Sequence, residues 1–212
     1  MKKLIFGLLV LTFFSCEKEV QEEKYDSVII VPLAKQYPID LALIDNFIDT
    51  HSINVSSDLN LNFEEVLRSN LNSIRNQTTY PLLTKLVTID NIVHKIYYLS
   101  LRTGTQLSCT NKSKVICSYK GLTLQNNIFD SNDGFLKLNL PQTIKGWQEI
   151  IPLFKSGNYI LNSDGSVNTS TDFGAGVMFL PSALGYYNQS LSNNLIQPYS
   201  PLIFSFKLRH VE

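Results

Sequence analysis

Aromatic side chains adjoin hydrogen-bonding groups in separate segments of the chain. Trp147, the single tryptophan, begins a helical pattern in the segment TIKGWQEIIPLFKSG. Phe129 and Asp130 lie at the predicted end of a strand, and Tyr186 follows a stretch with proline and glycine that is typical of a loop. Such residues suit noncovalent binding of an apolar group, with a carboxylate and a hydroxyl as hydrogen-bonding partners. The alternative is a core tryptophan, a packed phenylalanine beside a turn-forming aspartate, and a surface tyrosine.

Metal chemistry and nucleic-acid binding have little support in the composition. The histidines His51, His94 and His210 lie far apart and do not have metal-ligand spacing. Lysine and arginine together number 18, as do aspartate and glutamate, so the chain has no basic excess for a nucleic-acid partner. We therefore expect no metal, no other cofactor and no nucleic acid among the partners.

The N-terminal residues have the layout of a secretory signal. Two lysines precede an apolar run from Leu4 to Phe14. At about 11 residues, this run is too short to span a bilayer stably. We therefore assign residues 1–15 to a signal peptide, which is removed and does not belong to the folded domain.

A possible lipid attachment site follows this run. The sequence Phe13-Phe14-Ser15-Cys16 resembles a bacterial lipobox, in which a small residue precedes a cysteine that is lipidated and becomes the mature N-terminus; Phe13 stands where leucine is usual. The alternative is an ordinary signal peptide with a chance cysteine. Residues 16–28 are charged enough to form a tether. We expect a cell-envelope protein that is anchored to a membrane through Cys16 and faces the periplasm or the cell surface.

Cys109 and Cys117 remain after Cys16 is assigned to lipid. They could form a disulfide in an oxidising compartment. Alternation in VICSY places Cys117 on the same face as Tyr119, which favours a small buried hydrophobic residue. The sequence places no histidine or lysine partner nearby, so neither thiol is a good candidate for a nucleophile.

Residues 29–91 read as a partly helical N-terminal extension. Asp40 is the predicted N-cap of an amphipathic helix whose apolar face comprises Leu41, Ile44, Phe47 and Ile48. A weaker helical pattern follows, although its asparagine and serine content argues against a helix; its apolar positions are Phe63, Val66, Leu67 and Leu71. With so few strongly periodic segments, an independent domain of about 60 residues has little support. From about Ile92, alternation in HKIYYLSLRTG predicts a strand-rich domain over residues 92–212.

Separated blocks in this C-terminal half resemble FKBP-type peptidyl-prolyl isomerases. In the order of that family, they are YKGLTLQNNIFDS, TIKGWQEIIPLFKSG, MFLPSALGYY and LIQPYSPLIFSFKL. They cover roughly the last 120 residues, and several blocks in order are far more specific than one. The chain resembles the lipoprotein form found in Bacteroidetes-type bacteria. The resemblance implies an α+β fold, with an antiparallel half-barrel sheet wrapped around a short helix and an N-terminal helical extension.

The resemblance also implies roles for individual residues. Trp147 would form the floor on which a proline ring lies, and Tyr119, Phe129 and Phe204 would form the walls. Asp130 and Tyr186 would form a polar rim, with the Tyr186 hydroxyl donating to the substrate backbone. The backbone N–H of Ile144 would bind a substrate carbonyl. The other substrate-binding positions would be Tyr119, Leu136, Thr143, Leu195, Ile196 and Phe204.

The implied reaction requires no covalent step. Amide resonance gives an X–Pro bond a rotation barrier of ~18–20 kcal/mol. A dry aromatic pocket disfavours the planar, polar amide relative to the twisted transition state, and hydrogen bonds that fit only the twisted form add to this effect. We expect an isomerase for proline-containing exported polypeptides. The alternative is a weakly active proline-binding or chaperone-like module.

The sequence departs from the family pattern at several places. Leu136 stands where a large aromatic residue is usual, and the short loop before it lacks a basic residue that often pairs with the aspartate at Asp130. Tyr187 stands where glycine is expected, so the loop that carries Tyr186 could differ in shape. Residues 158–176 form a longer link than usual, in which an Asp-Gly pair predicts a hairpin turn.

Overall fold

A computed structural model describes residues 30–191 and 195–212. The predicted signal peptide (1–15), the lipidation residue Cys16 and the rest of the tether (16–28) lie outside the described residues. Within the described ranges, no helix has the length and apolar character needed to cross a membrane.

The described residues form an α+β structure built on one large antiparallel sheet. In chain order, the helices and strands are α1 (Leu33–Thr50), β1 (His51–Val55), β2 (Leu61–Glu65), β3 (Leu82–Ile89), β4 (Ile92–Arg102), β5 (Lys114–Thr123), β6 (Ile128–Asn139), α2 (Lys145–Ile150), β7 (Asn158–Leu161), β8 (Val167–Thr171), β9 (Gly174–Leu180) and β10 (Leu202–Val211). The six-stranded sheet has the order β3-β4-β9-β10-β5-β6, and β1-β2 and β7-β8 are separate pairs. The predicted fold class is confirmed.

Two apolar clusters cover the opposite faces of this sheet. Along β9, Met178 and Leu180 pack into the cluster that contains Trp147 of α2, whereas Val177 and Phe179 pack into the cluster that contains α1. Successive side chains of a strand point to opposite faces, so the short helix and the N-terminal helix cover different sides. The short helix α2 thus lies on the face that carries Phe204 and Phe206.

Helix α1 begins earlier than predicted, and the assignment of Asp40 as its N-cap is wrong. Pro32 is the N-cap, and Asp40 lies inside the helix with an exposed fraction of 1%. An aspartate shortly after Pro38 has the composition of a helix start, but packing on the sheet stabilises a helix that continues through the proline. The predicted apolar face is confirmed, and its fully buried members are Ile44, Phe47 and Ile48.

The second predicted helix is wrong. Phe63 lies on β2 and pairs with Ile53 of β1, and turns follow the strand. Two of the apolar positions that suggested the helix are left in solvent, since Leu67 is 80% and Leu71 is 81% exposed. Asparagine and serine have low helix propensity, and here they favour the turns.

The sheet starts before Ile92, where we expected the strand-rich region to begin. Strand β3 pairs with β4 from Leu82 opposite Leu99 to Ile89 opposite Ile92. Asp90 and Asn91 connect the two strands, and both have positive φ, 48° and 63°. This is the two-residue hairpin geometry that matches the twist of the strands.

The long link after α2 forms the predicted hairpin. Strands β7 and β8 pair around a turn in which Gly165 has a φ of 82°, a value that glycine adopts without steric strain. Cys109 and Cys117 are both buried with free thiols, as the alternation around Cys117 predicted for that residue. Burial raises the pKa of Cys109 to about 11, which makes its thiolate scarce at neutral pH.

Candidate functional site

An apolar cavity of about 200 Å³ opens between α2, the strands β5, β6 and β10, and the loop after β9. Its lining residues are Tyr119, Asp130, Leu138, Gln142, Thr143, Ile144, Trp147, Tyr186 and Phe204. The structure therefore brings together most of the site residues predicted from separate blocks. A larger groove of about 460 Å³, near Lys120 and Lys207, is more polar and does not include Trp147.

Trp147 forms an aromatic floor with its neighbours. It lies in the first turn of α2, is 4% exposed, and meets the rings of Tyr119 and Phe204 edge to face, with centroids 5.4 and 5.6 Å away. Each such pair contributes about 0.5–1.5 kcal/mol beyond the burial of area. The floor is consequently rigid, and the tryptophan serves both the core and the cavity.

Phe129 supports this floor from behind. It contacts Phe204 edge to face at 5.5 Å but does not line the cavity. Gly121 makes the approach possible, because a Cβ at this position would lie 2.6 Å from Cζ of Phe129 and 2.9 Å from Cε1 of Phe204. Sequence reasoning missed Gly121, although its place between Tyr119 and Phe129 was a usable signal.

Asp130 and Tyr119 form the fixed polar pair at the rim. The Tyr119 hydroxyl donates a hydrogen bond of 2.6 Å to Oδ2 of Asp130. Burial, this hydrogen bond and the charge of Asp130 all raise the pKa of Tyr119. Burial and the same charge raise the pKa of Tyr186. Both hydroxyls therefore stay protonated at neutral pH and can donate hydrogen bonds.

The turn before α2 provides a backbone donor. Ile144 is the N-cap of α2, and its carbonyl accepts the Trp147 N–H at 3.1 Å. Among the described residues, no hydrogen-bond partner is found for the Ile144 N–H, which precedes the helical ladder. Thr143 is held in place because its hydroxyl donates to the carbonyl of Leu140 and its own carbonyl accepts from Gln148, both at 2.8 Å.

Some predicted positions lie away from the cavity. Leu138 lines the cavity where we expected Leu136. On β6, Leu138 pairs with Val115 of β5, whereas Leu136 pairs with Cys117. An irregularity in the β5-β6 register between Cys117 and Tyr119 shifts the pairing at this point. Ile196 is buried in the core at 2% exposure and Leu195 is 51% exposed, and neither lines the cavity. Sequence reasoning also missed Gln142.

The loop that carries Tyr186 has the backbone shape expected of a glycine at the next residue. Tyr187 has a φ of 51°, which costs a residue with a Cβ about 1–3 kcal/mol. Its N–H donates to the carbonyl of Ser182 at 2.9 Å, and its ring meets that of Tyr199 edge to face at 5.1 Å. These contacts hold the strained conformation, so the departure from glycine does not alter the placement of Tyr186 at the cavity.

Over residues 30–191 and 195–212, no cluster of three or more histidine, cysteine, aspartate or glutamate side chains could hold a metal ion. The polar side chains that line the cavity carry hydroxyls (Tyr119, Thr143 and Tyr186), an amide (Gln142) and a carboxylate (Asp130). This set suits hydrogen bonding to a polypeptide substrate.

Comparison with known proteins identifies the fold. No protein-family model and no curated protein sequence matches the chain. A peptidyl-prolyl cis-trans isomerase from Pseudomonas syringae pv. tomato aligns with 86% of this chain and 97% of its own, at a TM-score of 0.52 and 16% identity. FkpA from Escherichia coli aligns with 84% of this chain and 60% of its own, at a TM-score of 0.49 and 17% identity. AtFKBP13 aligns with 55% of this chain and 93% of its own, at a TM-score of 0.44 and 18% identity. At 16% identity, the match to the Pseudomonas syringae isomerase shows the fold alone, and it is the FKBP-like fold that the sequence predicted.

Proposed function

We propose that this protein is a peptidyl-prolyl cis-trans isomerase that acts on X–Pro bonds of exported polypeptides. The observation that carries the proposal is the cavity itself, in which the aromatic floor of Trp147 and Phe204 faces a rim with Asp130 and Tyr186. A proline ring is apolar, whereas the amide that joins it to the preceding residue is polar. The aromatic floor suits the proline ring, and the polar rim suits the amide.

The cavity favours the twisted amide over the planar one. Planarity is maintained by resonance, which places opposite partial charges on oxygen and nitrogen and is lost when the bond rotates. An apolar wall solvates those charges poorly, so the planar ground state loses more solvation free energy than the twisted transition state does. No bond is made or broken, and a nucleophile is not needed.

Polar groups with fixed positions would stabilise the rotating carbonyl. Ile144 and Tyr186 both line the cavity. The Ile144 N–H and the Tyr186 hydroxyl would donate to the substrate backbone. Tyr119 holds the Asp130 carboxylate through the 2.6 Å hydrogen bond, so its charge does not reorganise as the substrate rotates. Donors and charges whose positions are set before the reaction are the effective ones.

We also propose that the protein works outside the cytoplasm on a lipid anchor at Cys16. The support is in the sequence: a basic start, a short apolar run and a lipobox-like Phe-Phe-Ser-Cys, followed by a charged tether over residues 16–28. Slow isomerisation, which takes tens to hundreds of seconds without a catalyst, limits the folding of exported chains. Proline-containing polypeptides and the membrane are therefore the proposed partners.

A proline-binding or chaperone-like module is the second candidate. The observation that favours it is that a leucine, Leu138, lines the wall on which the family usually has a large aromatic residue. Such a module would bind X–Pro segments and release them without a large change in the isomerisation rate.

One pair of measurements separates the two candidates. Isomerisation of an X–Pro peptide is followed with and without the protein, and peptide binding is followed by the intrinsic fluorescence of Trp147, the single tryptophan of the chain and part of the cavity. An isomerase accelerates exchange and changes the fluorescence. A fluorescence change without acceleration supports the binding module. If the fluorescence does not change and isomerisation is not accelerated, both proposals are overturned.

A further inference from the structure

A buried carboxylate joins the N-terminal helix to the loop that carries Tyr186. Oδ2 of Asp40 accepts hydrogen bonds from the backbone N–H and the hydroxyl of Ser182, at 2.7 and 2.6 Å. Oδ1 accepts a third from Nε2 of Gln36, at 2.7 Å. Asp40 and Ser182 are 1% and 0% exposed, so water does not compete for these bonds.

Ser182 passes this constraint on to both sides of Tyr186. Its carbonyl accepts the backbone N–H of Gly185 and that of Tyr187, each at 2.9 Å. These residues are the immediate neighbours of Tyr186 in the chain. Asp40 therefore holds Ser182, and the Ser182 carbonyl in turn holds the backbone on both sides of Tyr186.

The segment just before α1 makes a second attachment to the same loop. The Val31 N–H donates to the Tyr199 hydroxyl at 2.9 Å, and the Val31 carbonyl accepts from the Tyr187 hydroxyl. Because Tyr187 has a positive φ, contacts of this kind are needed to hold its backbone. The N-terminal helix and its lead-in thus hold the loop at two points.

Packing alone does not explain a carboxylate at this position. Ile44, Phe47 and Ile48 provide the apolar contacts of α1 with the sheet. Burial raises the pKa of Asp40, and the hydrogen bonds from Ser182 and Gln36 partly offset this effect. The carboxylate instead connects α1 to the loop, because two of its three hydrogen-bond donors belong to Ser182.

We propose that Asp40 is a positioning residue for Tyr186, so that helix α1 is a working part of the isomerase site. The inference rests on the proposed function of Tyr186. It extends the site to the N-terminal helix.

The rate test uses Asp40→Ala and Asp40→Asn in the full chain, each with and without Tyr186→Phe. Asp40→Ala should lower kcat/KM about 10-fold, because a small displacement of a positioned group is enough for such a loss. Asp40→Asn keeps an oxygen that accepts from Ser182 and should retain most of the rate. In the Tyr186→Phe background, Asp40→Ala should cause no further loss.

A matched control and a readout that does not depend on activity complete the test. Asp49→Ala removes ion pairs of the same helix with Arg68 and Arg75 and should leave the rate unchanged. Hydrogen exchange at the Gly185 and Tyr187 amides should accelerate in Asp40→Ala and stay slow in Asp49→Ala.

Unchanged exchange in Asp40→Ala would overturn the proposal, as would a rate loss that simply multiplies with that of Tyr186→Phe. If the unaltered protein does not accelerate isomerisation, the proposed function fails by itself, and the exchange measurement still decides whether Asp40 holds the loop.

Discussion

The Tyr119 hydroxyl donates a hydrogen bond of 2.6 Å to Oδ2 of Asp130, across the neighbouring strands β5 and β6. Their backbones are close but not directly opposite, because Asp130 pairs with Gly121 and Tyr119 pairs with Asn132. The tyrosine ring spans this offset while its edge contacts Trp147. One side chain thus connects the floor of the cavity to its charged rim.

This relationship predicts that Tyr119→Phe lowers catalysis with little effect on folding. The ring and its aromatic contacts remain, whereas the Asp130 carboxylate loses the donor that orients it. We expect a several-fold loss in kcat/KM and a loss of about 0.5–1.5 kcal/mol in the free energy of unfolding. Asp130→Asn is the matched control, since an amide oxygen still accepts from Tyr119 but carries no charge. Activity in Tyr119→Phe equal to that of the unaltered protein would show that the orientation of Asp130 is irrelevant.

The raised pKa values of Tyr119 and Tyr186 predict a flat pH profile on the alkaline side. Both values lie above the ordinary 10.0. As the pH rises from 7 to 9, both hydroxyls therefore keep their protons and continue to donate. The measurement is kcat/KM for an X–Pro peptide across this range, corrected for any unfolding. A fall in rate with a midpoint below pH 9 that disappears in Tyr186→Phe would contradict the assigned donor.

The lining of the cavity predicts a preference for apolar residues before proline. Among the described residues that line it, Asp130 alone carries a charge. Leucine would gain about 25 cal/mol for each Å² removed from water, whereas glutamate would bring a negative charge toward Asp130. We expect Leu-Pro to exceed Glu-Pro by about tenfold in kcat/KM, a difference of ~1.4 kcal/mol in transition-state binding.

Peptides that differ only at this residue test the preference, and Asp130→Asn separates its two causes. If repulsion contributes, the gap between Leu-Pro and Glu-Pro narrows in the variant. Equal rates for both peptides in the unaltered protein would mean that the walls do not contact the residue before proline.

The lipid anchor predicts that Cys16→Ala releases the protein from membranes. The apolar run before Cys16 is too short to hold it there, even if it is not removed. Membrane fractionation combined with labelling by a radioactive or clickable fatty acid measures the effect. Membrane association that persists in Cys16→Ala, without label in either protein, would refute the lipobox interpretation.

The resemblance to the family predicted several of the residues that line the cavity. Trp147, Tyr119, Tyr186 and Phe204 were assigned from blocks of sequence, and all line the cavity. The apolar face of α1 followed from helical periodicity, but its start did not, because Asp40 suggested an N-cap whereas the helix begins at Leu33.

Tertiary contacts explain what could not be predicted. Asp40 has the composition of a helix cap, and its real partner Ser182 lies 142 residues away in the chain. Leu138 replaces Leu136 at the cavity because an irregularity in the β5-β6 pairing changes which position reaches it. Neither relationship has a local sequence signal.

The most direct test of the account compares the unaltered protein with Tyr186→Phe. Trp147→Ala is less suitable, since loss of a buried tryptophan costs about 3–5 kcal/mol and confuses folding with catalysis. Removing the Tyr186 hydroxyl leaves its ring in the cavity wall. The measurement is kcat/KM for a Leu-Pro peptide, with the melting temperature of each protein as the control. We predict clear catalysis by the unaltered protein and a loss of at least several-fold in Tyr186→Phe at a nearly unchanged melting temperature. Absence of catalysis by the unaltered, folded protein would contradict the isomerase function, and equal rates would contradict the role of the hydroxyl.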